Sequence, residues 1–162
     1  MLNPIPSEVD VAVIGAGSAG LPAFRAAREH TDRVILIERG PHGTTCARVG
    51  CMPSKLLIVA AEAAHGMEIA PRFGIHPGSI SIDGEAVMER VRRERDRFVG
   101  FVLNGVDRID PEQKISGQAR FVEDSRLEIG NSQVRAGRVV IASGTSPAIP
   151  DFLEQVRDRV SV

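Results

Sequence analysis

The chain of 162 residues has no tryptophan, no tyrosine and only two cysteines. The first two absences mean that near-ultraviolet and visible absorbance of the purified protein would come almost entirely from any bound chromophore. The scarcity of cysteine excludes a disulfide framework, and two thiols lack the second pair that a structural zinc site needs. No single charge sign dominates, because 20 basic and 21 acidic residues leave a net charge of −1. Such a balance gives no electrostatic reason to expect nucleic acid or an anionic membrane as partner. Long hydrophobic runs are missing too. The first ten residues carry two prolines and two acids, and the apolar run after them is four residues long. That is the pattern of neither a signal peptide nor a membrane span. The expected location is cytoplasmic, where a structural disulfide is unusual and a catalytic one is allowed. No internal repeat and no low-complexity tract is present.

What is there is the composition of an ordinary globular domain, 43% hydrophobic and 25% charged. Val9–Ile14 is a β-branched run that stops at Gly15 and reads as a buried parallel strand. Gly15-Ala16-Gly17-Ser18-Ala19-Gly20 follows, then a helix over Leu21–Glu29 and a second buried strand over Arg33–Glu38. Strand, glycine turn, helix, strand and acid make a βαβ unit of about 30 residues, the usual size of a dinucleotide-binding fingerprint. In such a unit Gly15 permits the tight turn, Gly17 lets the backbone approach a pyrophosphate, and Gly20 lets helix and strand pack closely. The helix N-terminus faces the phosphate charge. Glu38 would accept hydrogen bonds from ribose hydroxyls and repel a 2′-phosphate. A tight turn with no ligand is the plainer alternative.

The two cysteines lie five positions apart in Gly43-Thr44-Thr45-Cys46-Ala47-Arg48-Val49-Gly50-Cys51-Met52-Pro53-Ser54-Lys55. They are either a redox pair or two thiols behaving as small hydrophobes. In a regular helix this step puts the Cα atoms about 8–9 Å apart, and a disulfide needs less than about 7 Å. A bridge therefore requires irregular backbone around Cys46, for which Gly50 and Thr44-Thr45 are the candidates. Beyond them, helices are expected over Ser54–Met67 and Gly84–Leu103. The second has an apolar stripe of Val87, Val91, Phe98 and Val102, is capped by Asp83 and is closed by Asn104-Gly105. Arg90, Arg92, Arg93, Arg95 and Arg97 alternate with acids and read as a solvated ion-pair face rather than an anion-binding surface. Short strands follow over Val106–Asp110, Lys114–Val122, Arg126–Ile129 and Gln133–Arg135, an antiparallel meander inserted in the α/β fold. Arg138–Ala142 is a further buried strand running into the turn Ser143-Gly144-Thr145-Ser146-Pro147. The expected organisation is one domain over 1–150 and a charged tail over 151–162.

Three motifs in this order resemble the N-terminal part of the class I pyridine nucleotide-disulfide oxidoreductases, above all dihydrolipoyl dehydrogenases. They are the glycine turn with Glu38, the Cys46 to Lys55 motif, and Ala142-Ser143-Gly144-Thr145. Thr44 and Arg48 depart from the family pattern, where glycine and asparagine are usual. The resemblance implies an α/β, three-layer Rossmann-like fold that binds FAD. Gly15, Gly17, Ser18, Ala19 and Gly20 would meet the pyrophosphate, Glu38 and Arg39 the adenosine ribose, and Gln118 and Ala119 the adenine. Thr45, Ser143 and Gly144 would support the cofactor from other loops. Cys46 would be the thiol that exchanges with a lipoamide-like dithiol, and Cys51 the thiol beside the flavin. Lys55 would sit near the flavin's central nitrogen; its plainer reading is a surface lysine.

Enzymes of this family continue with a nicotinamide domain and a dimerisation domain carrying a His–Glu acid–base pair. This sequence has one glycine fingerprint, and His30, His42, His65 and His76 do not fit the catalytic pattern. The expectation is a flavin-binding portion that reaches NAD only through a missing part of the parent enzyme, or through a separate chain that carries it. The alternatives are a stand-alone, non-catalytic FAD- or nucleotide-binding module and, within the enzyme class, a mercuric reductase-like protein.

Overall fold

Val34-Ile35-Leu36-Ile37 buries four consecutive side chains. Successive strand residues face opposite ways, so this run must be covered on both faces. A computed structural model, which describes residues 5–146 and 148–152, shows what covers it. Two compact units are present. The first combines the N-terminal 41 residues with the chain from Ile109 onward, and the second spans His42–Arg108.

In the first unit, β1 (Glu8–Ile14), α1 (Gly20–Arg28) and β2 (Val34–Glu38) form the expected βαβ unit. β3 (Lys114–Ser116) pairs parallel with β2, and β6 (Ser132–Ile141) pairs parallel with β1. β4 (Ala119–Glu123) and β5 (Arg126–Ile129) complete an antiparallel meander against the first half of β6. The strand order is β3-β2-β1-β6-β5-β4. β3 and β4 stand at opposite ends of this order, yet only Gly117 and Gln118 separate them. Ser116 and Ala119 are three Cα steps apart, at most about 11 Å, whereas the edges of a flat sheet this wide lie about 24 Å apart. The sheet therefore curls, and the meander folds back over the parallel strands. Between them lies one apolar cluster that includes Ala12, Ile35, Ile37, Ile115, Leu127, Ile129, Val134 and Ala136. Val13, Val34 and Leu36, of opposite parity, are buried on the side of α1, which contributes Leu21 and Phe24. The result is a Rossmann-like fold whose three layers are a helix, a parallel sheet and the meander.

Two strand boundaries differ from expectation. Lys114–Val122 is not one strand, because Gly117, at φ 156, turns the chain from one sheet edge to the other. Gln133–Arg135 and Arg138–Ala142 are not separate, because β6 runs through both and serves the meander with one half and β1 with the other. Gly137 fits within it, where a Cβ would lie 3.1 Å from the Asp10 carbonyl oxygen.

The second unit is helical. α2 (Thr45–Val49), α3 (Cys51–Ile69) and α4 (Gly84–Asp107) are its α-helices, with a short 3-10 turn after α3. α3 starts three residues earlier than expected and turns Pro53, Leu56, Ala60 and Ala64, at helical spacing, to its covered side. α4 runs through Asn104-Gly105, so the expected strand at Val106 does not form. Val106 is 2% exposed and extends the apolar stripe by one more turn from Val102. Phe98 is exposed and the half-buried Val99 takes its place in the stripe. The arginine-rich face of α4 is laced with ion pairs, Arg93 and Arg97 to Glu94 at 3.6 Å and Arg95 to Asp96 at 2.8 Å. Among the described residues no helix is long and apolar enough to cross a membrane, and no group of three metal-ligating side chains is gathered. The tail beyond Phe152 lies outside the described residues.

Candidate functional site

All four parallel strands end on the same side of the sheet, and the loops that leave them are tied together by backbone. The Gly15 N–H donates to the Ile37 carbonyl at 2.8 Å, that of Ala142 to Ile14 at 2.8 Å, and that of Gly117 to Glu38 at 2.9 Å. The crevice at the carboxyl ends of parallel strands is where open α/β folds bind ligands. Here they enclose a cavity of about 210 Å³ lined by Gly15, Glu38, Arg39, Gln118, Ala119 and Ser143, together with Ile14, Ile37 and Gly117. The volume is below the roughly 300 Å³ lower end of ordinary ligand pockets. It suits one segment of an extended ligand, such as the adenosine end of a dinucleotide.

The three glycines of the turn are required for different reasons. Gly15 has φ 104, and a Cβ on it would fall 2.3 Å from the Ala142 carbonyl oxygen. A Cβ on Gly20 would fall 1.7 Å from the Gly15 carbonyl oxygen. Both are demanded by the protein's own backbone. Gly17 is not, since nothing lies within 4 Å of where its Cβ would be. That open space over the helix start is a cradle for a ligand. The Leu21 N–H makes the first helical bond, to the Gly17 carbonyl at 3.1 Å, so the N–H groups ahead of it are outside the helical ladder. Ser18 and Ala19 are exposed there. Together with the partial positive charge of the helix N-terminus, these features fit a pyrophosphate. Gly144, at φ 71, and Ser143 continue the loop after β6.

Glu38 has a task that its sequence position alone does not reveal. Its Oε2 accepts the Ala16 N–H at 2.7 Å and its Oε1 accepts the Gly40 N–H at 2.8 Å. The carboxylate thus holds the glycine turn against the end of β2. An ionised carboxylate offers about four acceptor sites in all, and a ribose hydroxyl is a donor of the kind it takes. Ala16 is the residue missed by sequence reasoning; the glycine spacing gives no sign that the residue between them is clamped.

Thr45, Cys46, Cys51 and Lys55 belong to the helical unit. Gly50, at φ −125 and ψ −105, separates α2 from α3 and brings the two thiols together. A Cβ on Gly50 would be 3.2 Å from the Thr45 carbonyl oxygen and 3.6 Å from Cys46 Cα, which shows how tightly the chain folds back there. The expected irregularity is therefore a break between two helices. Cys46 is half-buried and Cys51, the first residue of α3, is exposed; both are free thiols. The Cys46 thiol is pushed above its ordinary 9.0, first by its hydrogen bond with the Cys51 side chain and then by burial. The Cys51 backbone N–H and the Lys55 charge, one turn along α3, oppose this.

A family model described as pyridine nucleotide-disulphide oxidoreductase matches residues 9–161. The chain belongs to this family. Among other pyridine nucleotide-disulphide oxidoreductases, it is 37% identical over 160 residues to a mercuric reductase of Streptomyces lividans, covering 91% of this chain and 33% of that protein. It is 32% identical over 143 residues to a glutathione reductase of Burkholderia cepacia, covering 88% of this chain and 32% of that one. The chain spans a third or less of the curated relatives it matches. The solved structure of an HOCl-induced flavoprotein disulfide reductase, RclA from Escherichia coli, superposes with a TM-score of 0.63 at 23% identity. That match covers 88% of this chain and 29% of that one, and shows a common fold. Members of the family are FAD-binding oxidoreductases.

Proposed function

We propose that this chain is the FAD-binding, dithiol-bearing portion of a flavoprotein disulfide reductase that works on a small dithiol in the manner of a dihydrolipoyl dehydrogenase. The observation that carries the reading is the helix break at Gly50, which puts Cys46 and Cys51 within hydrogen-bond reach in a chain that also carries a dinucleotide cradle. The Gly17 cradle, the start of α1 and Glu38 would hold the diphosphate and adenosine of FAD, with Gln118 and Ala119 along the adenine. FAD, when bound, would supply an acceptor for two electrons beyond the cysteine pair.

The thiol chemistry belongs to the chain itself. With Cys46 and Cys51 oxidised, a substrate thiolate attacks Cys46 Sγ and the Cys46–Cys51 bond breaks, leaving Cys46 in a mixed disulfide with the substrate and Cys51 as the thiolate. The second substrate thiol, losing its proton, displaces Cys46 and closes the substrate's own disulfide. The substrate has lost two electrons and the cysteine pair has gained them. Lys55 places positive charge on the side where the Cys46 thiolate forms. The resemblance gives Cys51 the flavin side and Cys46 the substrate side. Delivery of the electrons to NAD, and the histidine base that the parent enzymes use, belong to other parts of the parent protein or to a separate chain.

A visible spectrum tests the reading. The protein reconstituted with FAD is expected to show flavin bands and, on mild reduction, a long-wavelength charge-transfer band that disappears in Cys51→Ser. A protein that remains colourless with excess FAD would refute it. A second reading, a mercuric reductase-like portion, is favoured by the 37% identity to the Streptomyces lividans enzyme. Turnover of the protein carrying the remaining domains with Hg(II) but not with lipoamide would select it.

A further inference from the structure

Thr44 stands where few β-branched residues can. Its φ of 60 with ψ of 145 is a region that glycine visits and branched side chains avoid. The neighbouring Gly43 also has positive φ, at 111. Two such residues in succession bend the chain sharply into α2. The Thr44 side chain holds the bend, because its hydroxyl oxygen accepts the Ala47 N–H at 3.1 Å. The Thr44 carbonyl then accepts the Arg48 N–H at 3.1 Å. Gly43 is pinned in turn, since a Cβ there would lie 3.0 Å from Arg48 Cδ and 3.1 Å from Val99 Cγ1.

α2 has five residues, far fewer than a helix needs to hold itself together. Its winding depends on that cap and on the buried Ala47. The same five residues carry Cys46 up to the Gly50 break, and Cys46 meets Cys51 only while α2 is wound. We propose that Thr44 is a positioning residue for the dithiol. Its capping hydroxyl keeps α2 wound, so that Cys46 stays opposite Cys51 and the disulfide is favoured over the open dithiol. This rests on the reading of the two cysteines as a redox pair.

The dithiol–disulfide equilibrium of the full chain in glutathione redox buffers, read by alkylation and mass spectrometry, tests this. In wild type the pair is expected to close to an intramolecular disulfide. Thr44→Val and Thr44→Ala remove the cap, and each is expected to shift the equilibrium about fivefold toward dithiol. For a two-electron couple that is about 20 mV. Thr44→Ser keeps the oxygen and is expected to match wild type. Thr44→Gly separates positioning from simple stability. It relieves the strained backbone and is expected to melt higher than wild type, yet, lacking the hydroxyl, to shift toward dithiol by less than Val and Ala do, since glycine is itself a fair N-cap. If the wild-type pair closes and Val, Ala and Gly close equally well, the role of Thr44 is overturned while the redox pair stands. If the wild-type thiols never close, the redox reading fails and this proposal falls with it.

Discussion

Gly17 and Gly20 look alike in the sequence and differ in what surrounds them. At Gly20 an added methyl would meet the Gly15 carbonyl, which is backbone and cannot swing aside. Gly20→Ala is expected to cost about 3 kcal/mol or more by overpacking, measured by urea denaturation. Gly17→Ala meets no protein atom, so its denaturation midpoint is expected to stay within about 0.5 kcal/mol of wild type. Its affinity for FAD is expected to fall at least about tenfold, because the methyl occupies the backbone approach that a pyrophosphate needs. Titration calorimetry with FAD checks the second half. The thiols give a further residue-scale expectation. In the reduced protein Cys46 titrates above 9.0, so its alkylation rate should reach half-maximum at higher pH than for an ordinary cysteine. Cys51→Ala removes the leading cause and should bring that midpoint down. A folded-state pKa above the unfolded value also means that this group's contribution to stability is present at neutral pH and is lost as pH rises through the folded pKa.

Among the elements, α3 and α4 carry glycines that neither a turn nor a close approach requires. Gly66 and Gly100 lie inside helices, and nothing is within 4 Å of their Cβ positions. Replacing either with alanine is expected to stabilise the chain by about 0.8–1 kcal/mol, seen as a higher melting temperature. The meander behaves in the opposite way. Leu127, on β5, is fully buried in the cluster between meander and parallel strands. Leu127→Ala is expected to cost about 2–5 kcal/mol and to weaken FAD binding as well, because β4 begins at Ala119 beside the cavity. Element boundaries were legible wherever a local signal ended them. β1 stops where its apolar run stops, β5 has the bounds that its alternation and flanking turn residues mark, and Asp83 caps α4 by accepting the Ala86 N–H at 3.0 Å. They were illegible where a neighbour decided them. Asn104-Gly105 is a good helix stop by itself, and the burial of Val106 overrides it.

For the whole molecule, ligand binding is the main lever on stability. A ligand held only by the folded chain adds about 2.7 kcal/mol at one hundred times its dissociation constant. FAD in that excess is therefore expected to raise the melting temperature, and adenosine alone to give part of the rise if the 210 Å³ cavity takes the adenosine end. Differential scanning fluorimetry at graded concentrations checks both.

The linear sequence by itself determined the βαβ unit, the glycine turn with its acid, and that a bridge between the cysteines requires irregular backbone around Cys46. Each of these follows from patterns contained in one continuous stretch of about 30 residues or fewer. Only the tertiary structure decided that the residues after β3 fold back over the parallel sheet, that one strand serves both layers, and that Glu38 clamps Ala16 from 22 positions away. These depend on which distant segments share a buried surface, and short-range patterns of polarity carry no record of that.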